Sequence, residues 1–263
     1  MRALLALALL LGTGVVQAGT SCRAVTPGPR DVAAATASAI EVATALDAQD
    51  APVALVARVG TDLSKHGLKY SHLGFALRDH PHGRWTVVHL LNRCGTASSG
   101  LFAQGLVDFF LDDLVSREAK LVWLEEGRAA MLAAHLLADH GKSVHEPRYS
   151  VISRPDSARW QNSTAWVLEV LVLADAPAGV WSRASAHAAL RHDGFAPDVI
   201  GIPYTKRIAG GLFGANVSFT DHPLGARLGG RYEVVTVRAI LRHARQHGWI
   251  ARELALAGNT ALD

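Results

Sequence analysis

Hydrophobic and polar residues follow two periods along the chain, and each period predicts one kind of element. The segment Val53–Val59 is a short apolar run that ends at Gly60, and residues 71–78 and 84–91 flank a turn of sequence HPHG at 80–83. Short runs bounded by turn residues predict β-strands, the last two joined as a hairpin. Further strands are expected at 120–124, 216–219 and 232–237.

A second set of segments places its apolar residues three and four positions apart, which predicts amphipathic helices. These helices span 31–48, 101–114, 126–139, 163–174 and 182–192, and a final helix ends at His247. Because strands and helices do not alternate as βαβ units, the pattern favours an α+β fold over a doubly wound α/β fold. No linker or internal repeat divides residues 19–263, so we expect a single domain there.

The N-terminus has the three parts of a secretory signal peptide. Arg2 supplies a positive charge, residues 3–11 are apolar, and Val16-Gln17-Ala18 offers small residues at a cleavage position. The apolar run is shorter than the roughly 18–20 residues that span a bilayer. We therefore expect a signal peptide at 1–18 and export of the mature chain to the periplasm. A buried N-terminal helix or an uncleaved anchor is the alternative, and no later segment is long and apolar enough to cross a membrane.

The chain has two cysteines, Cys22 and Cys94. Export places them in an oxidising compartment, where an isolated pair most simply forms one disulfide. A Cys22–Cys94 bridge would tie the N-terminus to the loop after the central hairpin. The alternative is that Cys94 is a free nucleophile.

Charge and motifs exclude several classes of function. The formal net charge is +3, and the lysines and arginines are scattered rather than gathered in a stripe with aromatic residues. Nucleic acid is therefore not an expected partner. The sequence has no HExxH, paired CxxC, phosphate-binding loop or dinucleotide fingerprint, so we expect no metal and no cofactor. The expected partner is a cell-envelope component or a peptide or acyl substrate.

The hairpin brings two histidines together. If HPHG forms the turn, Asp79 pairs with Arg84, and side-chain alternation places His72 and His89 as diagonal neighbours on one face. Gly74 leaves space beside His89 on that face. Such a pair suits a base and a second imidazole that orients it. The alternative is that one histidine is a buried structural residue and the other lies at the rim.

Two segments resemble circularly permuted NlpC-type papain-like proteins, which include cell-wall amidases and peptidases and acyltransferases. The sequence YSHLGFA at 70–76 resembles the strand that carries their histidine base, and QNSTAWVLE at 161–169 resembles the helix start that carries their cysteine nucleophile. Ser163 stands where that cysteine would be, and His89 stands where the third residue is expected. The resemblance implies a permuted papain-like α+β fold, an antiparallel sheet packed with helices, in which His72 is the base.

A wider set of segments resembles an uncharacterised bacterial family, the domain of unknown function 2145. The matching segments are HLLNRCGT at 89–96, QGL at 104–106, DFF at 108–110, QNS at 161–163, WVLE at 166–169 and FTDHP at 219–223. This resemblance covers most of the mature chain. It implies that the chain shares the fold of this family, and it implies no known activity.

Serine in place of cysteine changes the chemistry that the site requires. A cysteine at a helix N-terminus can ionise to a thiolate, whereas a serine hydroxyl needs a base that takes its proton during attack. His72 can be that base, and the backbone N–H of Ser163 can help to stabilise an oxyanion. Alternatively, Asn162 or Ser163 is simply the N-cap of a helix. Asp221 and His222 are a further candidate, either as an acid–imidazole pair of the site or as part of a turn.

The sequence therefore leaves three readings of function. The first is a hydrolase that acts on an amide or ester in the bacterial envelope, with His72 as base, His89 as its orienting residue and Ser163 as nucleophile. The second is a non-catalytic relative of the same fold that binds a peptide, glycan or acyl chain. The third is a purely structural envelope protein, in which these three residues would lie far apart.

Overall fold

The computed structural model describes residues 26–258, with the backbone alone for 209–213. In that range the chain forms α1 (Pro29–Asp47), β1 (Val53–Val59), β2 (His72–His80), β3 (Gly83–Asn92), β4 (Ser99–Gln104), α2 (Leu106–Leu111), β5 (Ser116–Leu124), α3 (Glu126–Leu137), α4 (Ser163–Val172), α5 (Arg183–His192), β6 (Asp198–Gly201), α6 (Tyr204–Phe213), α7 (Leu224–Gly229), β7 (Arg231–Val234), α8 (Val237–Gln246) and β8 (Ile250–Leu256).

Six of these strands form one antiparallel sheet in the order β4-β3-β2-β1-β5-β8. Strands β6 and β7 form a separate two-stranded antiparallel sheet. Helices pack against the large sheet, and their apolar faces bury its side chains from water. The prediction of an α+β fold with an antiparallel sheet packed with helices is confirmed.

The two faces of the large sheet pack against different helices. Leu73 and Phe75 of β2 point to a core built by α3, α4, α5 and α8, where the ring of Phe75 meets Trp166 at 5.6 Å. Ala76 of β2 and Val87 of β3 point to a second core built by α1 and α2. Because successive side chains of a strand alternate between faces, His72 lies on the α1–α2 face.

The central hairpin has the register that its turn predicts. Asp79 lies opposite Arg84 and Phe75 lies opposite Val88. His80 and Gly83 pair as well, so the turn itself is the two residues between them. Gly74 therefore comes next to His89, and the sequence-based placement of both histidines on one face of the sheet is correct.

Two predicted elements are wrong. The segment 101–114 is not one helix: residues Ser99–Gln104 form strand β4, and helix α2 begins only after Gly105. Pairing of β4 with the open edge of β3 satisfies backbone groups of both strands, and that tertiary gain overrides the local helical pattern. The strand expected at 216–219 is a loop followed by a single 3₁₀ turn, Phe219–Asp221.

Several predictions concern residues outside the described range. The signal peptide 1–18 and Cys22 lie there, so export and the Cys22–Cys94 disulfide stay predictions. Among residues 26–258, no helix combines the length and the apolarity needed to cross a bilayer.

Candidate functional site

Two imidazoles and an amide form a hydrogen-bonded chain across the edge of the large sheet. His72 Nε2 lies 2.7 Å from His89 Nδ1, and His89 Nε2 lies 2.8 Å from Gln104 Oε1. The three residues stand on the neighbouring strands β2, β3 and β4. Phe109 of α2 covers them, with ring-centre distances of 6.0 Å to His72 and 5.3 Å to His89. The side chains are thus held from three strands and one helix.

A buried arginine lies next to His72 on the side opposite His89. Arg58 of β1 pairs with His72 in the strand register, and only 3% of its surface is exposed. Its guanidinium donates to the carbonyl of Phe109 and, at 2.6 Å, to the Asp112 carboxylate. Arg58 is therefore paired with one carboxylate while it stays close to both imidazoles.

Burial and the charge of Arg58 keep the two imidazoles neutral. Burial, then the positive charge of Arg58, then His89 hold the pKa of His72 well below its ordinary value. Burial and Arg58 likewise lower the pKa of His89 to about 3, although Gln104 and Asp112 act in the opposite direction. Both histidines are consequently uncharged near neutral pH, and His72 is a weak base.

The predicted nucleophile lies at the start of helix α4. Asn162 is the N-cap, since its side-chain oxygen accepts a hydrogen bond from the Ala165 N–H at 2.7 Å. Ser163 is the first helical residue, and its hydroxyl contacts the phenol of Tyr149, whose pKa burial raises to about 12. Within residues 26–258, no hydrogen bond joins Ser163 to either imidazole.

One cavity nevertheless connects the two parts of the site. It has a volume of about 430 Å³ and opens where β1 ends, β2 begins and α4 starts. His72 and Ser163 both line it, while His89 lies behind His72 and does not. Helix α4 packs on the opposite sheet face from the imidazoles, so the two residues meet only around the strand ends. The apolar part of the cavity wall includes Leu63, Leu68, Leu90, Val151, Ile200, Ile202, Val217 and Phe219.

Comparison with known proteins places the chain in a family. Residues 45–244 match the model of a family described as an uncharacterized protein conserved in bacteria, DUF2145. The chain belongs to this family. No curated protein and no solved structure matches it. The match runs from the end of α1 to near the end of α8, so this DUF2145 domain contains every residue of the site described above.

Asp221 and His222 of the DUF2145 domain hold a loop in the cavity wall. The Asp221 carboxylate accepts hydrogen bonds from the Ser157 hydroxyl at 2.6 Å and from the Arg154 N–H at 3.0 Å. His222 Nε2 lies 2.6 Å from the carbonyl oxygen of Ile152. These contacts tie the segment that precedes α7 to the loop that precedes α4, and neither side chain forms a hydrogen bond with His72 or Ser163.

Three residues of this site could not be found from the sequence pattern. The pattern of residues 101–114 predicts a helix, and so it does not indicate that Gln104 ends a strand beside His89. Arg58 is the only charged residue of the apolar strand β1. A charge in such a strand is buried and needs a partner, and this was the signal that could have indicated its role. Tyr149, which contacts Ser163, carries no pattern that distinguishes it from another core aromatic residue.

Proposed function

We propose that this DUF2145 domain is a binding module that takes a small, largely apolar molecule into its cavity. The observation that carries the proposal is the cavity itself, whose mostly aliphatic wall contains a few convergent polar groups, including His72 and Ser163. Its volume of about 430 Å³ lies within the range of small-molecule sites. Apolar walls supply affinity in such sites, and the few polar atoms orient the ligand.

The electrostatics of His72 favour binding over catalysis. General-base catalysis is most effective when the pKa of the base lies near the working pH, whereas the pKa of His72 is held well below that range by burial and by Arg58. A base that takes a proton from serine also becomes an imidazolium. Here the neighbour behind His72 is a neutral imidazole, which stabilises that charge less than a carboxylate would.

The placement of Ser163 also favours binding. Its hydroxyl contacts Tyr149 and makes no hydrogen bond to an imidazole within the described residues. Export to the periplasm, as the N-terminus predicts, would present envelope components to the cavity. Acyl chains and apolar peptide segments are the ligands that fit its wall.

Equilibrium dialysis with the apolar probe N-phenylnaphthylamine tests the proposal. Val151 and Val199 are comparably exposed, at 40% and 46%, and Val151 lines the cavity while Val199 does not. Val151→Trp fills the cavity and should weaken probe binding at least about tenfold, which corresponds to about 1.4 kcal/mol. Val199→Trp should bind the probe as the unchanged protein does. Absence of binding to the unchanged protein, or equal binding by both variants, would contradict the proposal.

A serine hydrolase is the second candidate, because Ser163 and His72 line the same cavity. In that reading the domain is a permuted papain-like fold in which Ser163 attacks an ester or amide, His72 takes the proton and His89 orients it. A fluorophosphonate probe separates the two functions. If the domain is a binding module, the probe labels the unchanged protein no more than it labels Ser163→Ala. Labelling that disappears in Ser163→Ala would establish the hydrolase instead.

A further inference from the structure

The chain of hydrogen bonds behind the cavity has a direction. Gln104 presents its side-chain carbonyl oxygen to His89 Nε2 at 2.8 Å. An amide oxygen only accepts, so His89 Nε2 carries the proton. A neutral imidazole has one donor and one acceptor nitrogen, so His89 Nδ1 is the acceptor in the contact with His72.

The same reasoning fixes the tautomer of His72. His89 Nδ1 accepts at 2.7 Å, so His72 Nε2 carries the proton of that hydrogen bond. The neutral ring of His72 is then left with a lone pair on Nδ1. Burial and the charge of Arg58, which lower the pKa of both histidines, keep the rings in this neutral state.

The lone pair of His72 Nδ1 is available to a ligand. No described residue forms a hydrogen bond with this nitrogen, and it is not among the polar atoms sealed from solvent without a partner. His72 lines the cavity. His72 Nδ1 thus lies in a largely apolar wall as a nitrogen that accepts hydrogen bonds and does not donate them.

We propose that the cavity selects ligands that carry a hydrogen-bond donor, a hydroxyl or an amide N–H, on an apolar body, and that Gln104 is the positioning residue that fixes this choice. The inference rests on the proposed binding function and names the ligand class of the same cavity. A ligand group that only accepts hydrogen bonds places its lone pair against that of His72 and leaves both unsatisfied.

Arg58 does not reverse this preference. Its guanidinium lies near His72, but two of its nitrogens donate to the Phe109 carbonyl and to the Asp112 carboxylate. The charge is therefore already neutralised by a carboxylate at 2.6 Å. A carboxylate held at His72 would have to compete with Asp112 while it also faces the lone pair of His72. Lys206 also lines the cavity, but it is exposed, so solvent screens its charge.

Three ligands with the same chain test the ligand class: decyl alcohol, methyl decanoate and decanoate. Their affinities are measured by displacement of N-phenylnaphthylamine at neutral pH. The alcohol should bind about three- to tenfold more tightly than the methyl ester, the ratio that one neutral hydrogen bond supplies. Decanoate should bind more weakly than the alcohol. Equal affinities of alcohol and ester, or tightest binding of decanoate, would overturn the inference.

Variants at Gln104 test the positioning role. Gln104→Leu removes the acceptor that fixes His89, so the ratio of alcohol affinity to ester affinity should fall towards one. Gln104→Glu restores an acceptor oxygen at this position and should restore the ratio. Gln104 is half-buried at the last position of β4, and Gln104→Met serves if Gln104→Leu does not fold. An unchanged ratio in the folded Leu or Met variant would contradict the role of Gln104.

The outcomes separate the two proposals. If N-phenylnaphthylamine does not bind the unchanged protein, the binding function fails and the ligand class fails with it. If the probe binds and all three ligands displace it equally, the binding function stands and only the ligand class is wrong.

Discussion

Gly74 is the residue that lets the two histidines approach each other. A Cβ added there would lie 2.7 Å from Val87 Cγ1 and 3.1 Å from His89 Cβ. Both neighbours belong to the adjacent strand, so neither can move away freely. We expect Gly74→Ala to destabilise the domain by about 1–3 kcal/mol, the usual cost of overpacking a core. The free energy of unfolding in urea measures this.

Gly127 provides the matched control for that substitution. Apart from its chain neighbours and its own helix backbone, no atom of the described residues lies within 4 Å of a Cβ added at Gly127, a helical position in α3. Gly127→Ala should therefore stabilise the domain by about 0.4–1 kcal/mol, because alanine restricts the unfolded chain. Equal effects of the two substitutions would show that the space beside Gly74 does not determine the hairpin packing.

The neutral state of His89 predicts how stability depends on pH. In the unfolded chain a histidine takes up a proton near pH 6.5, but burial and Arg58 lower the pKa of folded His89 to about 3. Between these values the unfolded state binds more protons. Stability should therefore fall as the pH falls through this window, by about 1.4 kcal/mol per pH unit for this residue.

His89→Gln removes this contribution together with the effect of His89 on the pKa of His72, and it leaves every other titrating group in place. Urea unfolding at several pH values between the two limits should give a shallower loss of stability in the variant. The same slope in both proteins would show that His89 is not held neutral.

The helices and strands that could be predicted from the sequence are those whose formation depends on residues within the same segment. Strands β1, β2 and β3 and helices α3, α4 and α5 were predicted because their apolar periods and their turn or cap residues lie within each segment. Strand β4 was not, since its residues carry a helical spacing and become a strand only by pairing with β3. Whether residues 99–104 form a strand therefore depends on the free edge of β3, with which they pair.

Some residues of the candidate site could likewise be predicted from the sequence, and others could not. His72 and His89 were placed together because one short turn fixes the register between their strands. Their partners Arg58 and Gln104 come from β1 and β4, and strand order within a sheet leaves no local pattern in sequence. The contact of Ser163 with Tyr149 joins α4 to a preceding loop, and it too is set by tertiary packing.

A buried ion pair joins α4 to α5. Glu169 is 1% exposed and accepts hydrogen bonds from Arg183 at 3.0 Å and from the Gln161 amide at 2.7 Å. Gln161 lies directly before the N-cap of α4, so this network holds the segment that presents Ser163. We expect Glu169→Gln to destabilise the domain by about 3 kcal/mol, because a buried guanidinium loses its counter-charge. Urea unfolding measures the loss.

Glu118 offers a matched surface pair. It meets Lys69 at 3.0 Å, and the side chains are 34% and 56% exposed. Glu118→Gln should change stability by less than about 1 kcal/mol. If the two glutamine variants are equally stable, the network at Glu169 does not hold the two helices together.

In the molecule as a whole, the cavity lies between the large sheet and the small sheet. The large sheet is packed on both faces, and the small sheet of β6 and β7 forms the far wall. Asp198 fastens that wall to α8 through Arg238 and Arg242, each at 3.0 Å. A ligand held between these parts binds the folded state and not the unfolded chain.

Ligand binding should therefore raise the stability of the whole domain. A probe at one hundred times its dissociation constant adds about 2.7 kcal/mol to the free energy of unfolding. N-phenylnaphthylamine is expected to produce this rise in the unchanged protein and in Val199→Trp. The same free probe concentration should add at most about 1.4 kcal/mol in Val151→Trp, whose affinity for the probe is at least about tenfold weaker. A comparable rise in all three would mean that the probe binds elsewhere.

The ligand class proposed for the cavity and the weak basicity of the site both depend on the protonation of His72. Nitrogen-15 NMR of histidine-labelled protein measures it directly at neutral pH. The expected result is a neutral ring with the proton on Nε2 and none on Nδ1, and a shift of the Nδ1 signal when decyl alcohol is added. A proton on Nδ1, a charged imidazolium, or an Nδ1 signal that ignores the alcohol would contradict the role of His72 as a fixed acceptor in the cavity.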